Sequence, residues 1–223
     1  MPEDTQVADK EEVHRDRGDV KRVQFGCGPG PVPKGWINFD ASPTLRIAGI
    51  PVVGRRLTRR RVTFDSNAQF GDIVKGLPVE DRSCDAVYSS HVLEHLPKAD
   101  VRGALENTLR ILRPGGVFRV VLPDLRYLSK EYVEGRLSGD QYVTELYMGS
   151  PEGKRSYRLL TAMGNSRHLW MWDEASLSGL LLSVGFTGVR RAAFGDRGDE
   201  LFADVESEDR WTNCLGLQAE AAG

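Results

Sequence analysis

Cysteine is scarce in this chain. Cys27, Cys84 and Cys214 are the only three, an odd and scattered set without a C-x-x-C pair. That argues against a disulfide framework and a zinc cluster, so no metal site is assigned and reduced thiols are expected. Long apolar runs are lacking as well: no stretch approaches the roughly 18 to 20 residues that cross a bilayer. The first residues are acidic and polar where a secretory leader would be basic and then apolar, so a cytoplasmic location without a membrane span is expected. An excess of one charge sign is missing too. With a net charge of −2, the average composition gives no pull toward nucleic acid, which is not expected as a partner. What is present, 40% hydrophobic residues over 223 positions, suffices to bury the core of one domain.

The most informative stretch is Arg22-Val-Gln-Phe-Gly-Cys-Gly-Pro-Gly30, an apolar run leading into Gly26, Gly28 and Gly30. Glycines at the end of a strand allow positive φ and let backbone N–H groups approach a ligand closely. A dinucleotide fingerprint needs a further glycine at its sixth position; counting from Gly26, that position is Pro31. A second strand, Gly35 to Asp40, follows after only Pro31 to Lys34, so the first helix is cut down to a turn. The helix N-terminus that would receive a pyrophosphate is then missing. The loop suits a ligand without phosphate, and Asp40 is placed to accept ribose hydroxyl hydrogens.

Residues 1–18 mix both charge signs with few apolar side chains and read as a flexible polar tail, with 19–223 as a single domain. Arg55, Arg56, Arg59, Arg60 and Arg61 form a basic cluster that reads as a solvated loop face, or alternatively as a contact for an anionic substrate. Val62 to Asp65 suggests a short strand, and Phe70 to Lys75 a helical turn or another short strand. Asp85 to Ser90 is a strand with His91 at its C-terminal end. Ala99 to Leu112 sets Val101, Ala104, Leu105, Leu109 and Leu112 at helical spacing, and Val117 to Leu122 is the next strand, ending at Pro123-Asp124.

An insertion over about 126–172 follows, with helical stretches at Leu128 to Leu137 and Gln141 to Met148, and is expected to act as a lid or substrate wall. Asp173 caps a helix over Glu174 to Val184, and Gly188 to Phe194 with Trp211 to Ala219 supply a final antiparallel hairpin. The expected fold is α/β: a Rossmann-like, doubly wound, mostly parallel sheet with a shortened first helix and a helical insertion after strand 5.

Five motifs in order over about residues 20 to 124 resemble the class I S-adenosylmethionine-dependent methyltransferases. They are Phe25-Gly-Cys-Gly-Pro-Gly30, Gly35-Trp-Ile-Asn-Phe-Asp40, Asp72-Ile73 before Leu77-Pro-Val-Glu80, Asp85 to Leu96, and Leu112-Arg-Pro-Gly-Gly-Val117. The resemblance implies S-adenosylmethionine as cofactor, S-adenosylhomocysteine as product, and a cofactor site lined by Gln24, Phe25, Gly26, Cys27, Gly28, Asp40, Asp72, Ile73, Ser89 and Ser90. One departure is Gln24, where the family usually has an acid. The shortened first helix together with Gly35 to Asp40 looks like a branch associated with polysaccharide biosynthesis, which implies O-methylation of a saccharide or oligosaccharide hydroxyl.

A sugar hydroxyl is a poor nucleophile until its proton is removed, so a base is sought at the strand ends. His91 is the first candidate, with Asp124 and His168 in support; Tyr127, Trp170 and Trp172 are candidates for a wall against the acceptor. The structural alternatives are a helix cap or a cofactor contact for His91, a helix cap for Asp124 and core packing for the tryptophans. His91-Val-Leu-Glu-His95 also spells H-x-x-E-H, but neither a third ligand nor a helical context is apparent, which places Glu94 and His95 outside the reacting groups. An RNA or protein methyltransferase and a non-catalytic cofactor-binding module stay open as alternatives, as do a requirement for a divalent ion and a homodimer.

Overall fold

The computed structural model describes residues 20–48, 63–148, 167–196 and 200–223. The tail at 1–18, the cluster from Arg55 to Arg61 and positions 149–166 of the insertion lie outside the described residues. Among the described residues, seven strands form one sheet: β1 (Arg22–Phe25), β2 (Trp36–Asp40), β3 (Ala68–Phe70), β4 (Cys84–Ser90), β5 (Leu112–Pro123), β6 (Phe186–Ala192) and β7 (Cys214–Ala221). Their spatial order is β3-β2-β1-β4-β5-β7-β6. β7 alone runs antiparallel, against both β5 and β6, while the other described pairings are parallel. This is the Rossmann-like sheet expected from the sequence. Among the described residues, no helix is long and apolar enough to cross a membrane.

β1 and β2 pair in parallel, from Arg22 opposite Trp36 to Phe25 opposite Phe39, with no helix between them. The short helix α1 (Pro43–Ala48), which sequence reading did not anticipate, comes after β2 instead. Among the described residues, the remaining helices are α2 (Lys98–Ile111), α3 (Leu125–Val133), α4 (Gly139–Glu145) and α5 (Glu174–Val184). α2 turns Val101, Ala104, Leu105 and Ile111 inward, at the spacing that puts them on one helical face. α5 opens on a capping box, in which the Asp173 carboxylate accepts from Ser176 N, and ends at Gly185 with φ 115°.

Several boundaries differ from expectation. The hairpin strands are displaced, since Trp211 sits in a turn before β7 and β6 begins at Phe186. β5 starts at Leu112, so Arg113-Pro-Gly-Gly116 is an irregular first section of the strand, where its register with β4 shifts between Cys84 and Ala86. At 63–65, only Phe64 pairs, in an isolated bridge with Gly30.

Strand alternation divides the buried side chains into two layers. Val23, Phe25, Phe39, Val87, Phe118, Val120 and Leu217 face α2 and α5 and form the larger core. Trp36, Ala86, Tyr88 and Val121 face the opposite way and meet Phe202 from the β6–β7 connection.

Candidate active site

The strand order reverses between β1 and β4, where open α/β sheets leave a crevice at their C-terminal ends. A cavity of about 760 Å³ lies there, within the range of small-molecule sites. Phe25, Gly26 and Gly28 line it from the first loop, Asp40 to Pro43 from the end of β2, Gly71 to Lys75 from the segment after β3, and Ser90 to Val92 from the end of β4. His95, Leu96, Pro97 and Asp100 line the side nearest α2, and Arg210 reaches in from the β6–β7 connection.

The glycine loop is held open by the strand beside it. The N–H groups of Gly26 and Cys27 both donate to the Phe39 carbonyl, at 2.8 and 3.1 Å, and Gly28 N donates to Asp40 Oδ2 at 2.9 Å. Gly26 and Gly28 have φ of 72° and 67°, and a Cβ on Gly26 would fall 2.0 Å from Val92 Cγ2. Any side chain there would therefore be strained and would push into the cavity wall. The other oxygen of Asp40 accepts from Ser42 N at 2.7 Å, so the carboxylate is fixed at the rim. Asp72 is fixed similarly, accepting from Val74 N at 3.1 Å and pairing with Lys75 at 2.9 Å.

Of the cofactor residues named from sequence, Phe25, Gly26, Gly28, Asp40, Asp72, Ile73 and Ser90 are brought together around the cavity; Gln24, Cys27 and Ser89 do not line it. Gln24 is buried on the other face of β1, and its Oε1 meets no donor. Burial, with Asp40 nearby, pushes the Cys27 thiol up to about 12, so it stays protonated. Ser89 and Ser90 are buried, each with an unpartnered hydroxyl.

His91 lines the cavity with φ 56°, a backbone conformation held by its N–H bond to the Val121 carbonyl at 2.9 Å. Its Nε2 donates to the Arg210 carbonyl at 3.0 Å, with Cys214 Sγ at 3.7 Å, and its Nδ1 lies 3.3 Å from Glu94 Oε1. Burial works against a charge on this ring, but Cys214, Glu94 and the Arg210 carbonyl outweigh it and push the imidazole up to about 10. Both ring nitrogens thus face protein groups, Nε2 the Arg210 carbonyl and Nδ1 the Glu94 carboxylate.

Asp124 does not line the cavity. It caps α3 by accepting from Arg126 N at 2.9 Å and pairs with Arg191 at 3.2 Å, so the structural alternative describes it. Trp172 is buried in the core, while Trp170 is exposed beneath Lys98, whose Nζ sits 4.2 Å from its ring centre. Neither tryptophan nor Tyr127 lines the cavity, and neither does any described residue of the expected lid at 126–172. His168 is off the cavity as well, but it packs at 5.0 Å against His95, which does line it.

Sequence reading passed over His95, Asp100 and Arg210. His95 was set aside with its motif, and Asp100 looked only like a helix-start acid. Arg210 carries no local signal, since it arrives from 119 residues beyond His91.

Residues 23–120 match the family model described as a methyltransferase domain. An uncharacterised 37.1 kDa protein in transposon TN4556 of Streptomyces fradiae is 32% identical over 120 residues, 52% of this chain and 34% of that protein. The O-methyltransferase rstn1 of Aspergillus nomiae is 30% identical over 109 residues, 46% of this chain and 45% of its own length. The chain thus spans less than half of these curated relatives. Among solved structures, the CurJ carbon methyltransferase superposes with a TM-score of 0.52 at 14% identity, covering 95% of this chain and 51% of that one, a likeness of fold.

Proposed function

We propose that this chain, whose residues 23–120 match a methyltransferase domain model, is a class I S-adenosylmethionine-dependent methyltransferase that transfers a methyl group from S-adenosylmethionine to a hydroxyl oxygen. The observation that carries the reading is the cavity at the β1/β4 reversal, with the Gly26–Gly28 loop on one side and Asp40 on the other. The residues present fit the cofactor. Gly26 leaves the space that a Cβ would fill, Asp40 offers a fixed carboxylate for two ribose hydroxyls, and Ile73 and Phe25 give apolar surface for a base.

When bound, S-adenosylmethionine supplies an electrophilic methyl carbon on a sulfonium, and displacement at that carbon requires acceptor, methyl and sulfur in line. The protein contributes positioning. Gly26 and Gly28 allow close approach of the loop, Asp40 anchors one end, and the wall formed by His91, Val92 and His95 is where an acceptor oxygen would meet the methyl group. Both nitrogens of His91 face protein groups, so we assign removal of the acceptor proton to another group at this end.

For the acceptor, a saccharide hydroxyl rests on the motif at Gly35 to Asp40 and the missing first helix, while the name of the Aspergillus relative supports an oxygen acceptor more generally. Calorimetry with S-adenosylhomocysteine tests the cofactor reading. Tight binding is expected, reduced at least about tenfold in Asp40→Ala; unchanged affinity in that variant would sink the ribose assignment. Labelled methyl transfer across defined mono- and disaccharides tests the acceptor, and transfer to other alcohols but to no sugar would remove the saccharide.

A further inference from the structure

The H-x-x-E-H string does not form the helical motif it spells, because residues 93–95 make only a 3-10 turn and His91 Nε2 is bonded to the Arg210 carbonyl. A different trio converges instead. Glu94, His95 and His168 each offer one ligand atom, and these atoms lie within 4.8 Å of one another. The third residue arrives from across the chain on a segment clamped to this turn: Leu169 N and Trp170 N both donate to the Glu94 carbonyl, at 2.7 and 3.2 Å. His95 Nδ1 donates to the Arg167 carbonyl at 2.9 Å, which orients Nε2 toward Glu94, 4.0 Å from Oε1. A backbone carbonyl that fixes one ring nitrogen so that the other can coordinate is the usual support for a histidine ligand.

Two buried groups here present atoms without a hydrogen-bond partner. The Glu94 side chain is 1% exposed, and neither of its oxygens has a well-aligned hydrogen-bond donor; His91 gives Oε1 only an ion pair at 3.3 Å. A buried carboxylate satisfied so incompletely is expensive. His168 Nδ1 is likewise buried and unpartnered. Two imidazole nitrogens and one carboxylate oxygen suit zinc, manganese or cobalt, whereas magnesium and calcium favour oxygen alone.

We infer that Glu94, His95 and His168 hold a divalent first-row transition cation at the acceptor end of the cavity. His95 lines the cavity while Glu94 and His168 stand behind it, so the cation would sit at the cavity's edge. Resting on the methyltransferase reading, the cation would activate the acceptor: a hydroxyl bound to it releases its proton to solvent more readily. The oxygen lone pair then forms the bond to the methyl carbon, and the carbon–sulfur bond breaks with its electron pair left on sulfur.

The test uses the whole chain stripped with a chelator and titrated with zinc by calorimetry and with cobalt by visible absorption. One equivalent should bind, with cobalt bands of a nitrogen and oxygen site, and affinity should fall at least ~10-fold in both His168→Ala and Glu94→Gln. S-adenosylhomocysteine binding is measured on every sample as an independent readout of fold and of the cofactor reading. Cofactor-product binding without stoichiometric metal overturns the metal site alone. Metal binding without cofactor-product binding leaves the site standing and overturns the methyltransferase reading. Stoichiometric metal that is indifferent to both substitutions also overturns the assignment.

Discussion

On one face of the sheet, Val23, Phe25, Val87, Phe118 and Val120 meet the apolar sides of α2 and α5. On the other, at the intervening positions of the same strands, stand Gln24, Asn38, Tyr88, Arg119 and Gln218, all buried. The first face is closed by helices, the second by the β6–β7 connection. There Phe202 packs on Trp36 and Tyr88 at 6.1 Å from each ring, and Arg119 pairs with Glu206 at 3.0 Å while also bonding Gln218. Removing the helix between β1 and β2 did not leave a bare surface. The fold filled the space with an irregular segment whose anchor is an ion pair, so apolar area secures one face and partner matching the other.

Substitutions can separate these two modes. The largest effect is expected for Phe118→Ala, because Phe118 stacks between Phe25 and Phe186 with ring centres 6.2 and 5.7 Å away. A loss of about 3–5 kcal/mol in urea denaturation is expected, and a loss below about 1 kcal/mol would mean that the helical face is loosely packed. Next comes Glu206→Gln, which removes the carboxylate paired at 3.0 Å with the 1%-exposed Arg119 side chain and should cost about 3 kcal/mol. The paired change Arg119→Met with Glu206→Leu should return stability to near the starting value; if it is as unstable as the single variant, the polar face depends on something other than charge matching. The smallest effect belongs to Asp173→Ala, which removes the α5 cap and should lower stability by about 1 kcal/mol, with cofactor-product binding unchanged.

The helical face was legible in sequence because its residues repeat at short range. Val101, Ala104 and Leu105 recur at helical spacing, and the strand at Asp85 to Ser90 is a continuous buried run. The glycine loop and Asp40 were legible for a related reason, as both sit within 16 residues of each other on adjoining strands. The polar face was not. Phe202, Glu206 and Arg210 lie in a stretch without periodicity, and their partners Tyr88, Arg119 and His91 are about a hundred residues away. The same holds for His168, whose place beside His95 depends on main-chain bonds to Glu94 that no local pattern announces. The aromatic run from Trp170 to Trp172 suggested an acceptor wall because composition reports chemistry and not direction; one ring points to the core and the other to solvent.

The bond from His91 Nε2 to the Arg210 carbonyl also sets an order of events during synthesis. Asp40 and the glycine loop leave the ribosome early, but the wall opposite them cannot be completed until position 210 follows. At ordinary elongation rates that interval is on the order of ten to thirty seconds. Throughout it the nascent chain exposes the β2, β4 and β5 surface that Phe202 will later cover, a window in which a holding chaperone has an apolar target that the finished protein no longer presents.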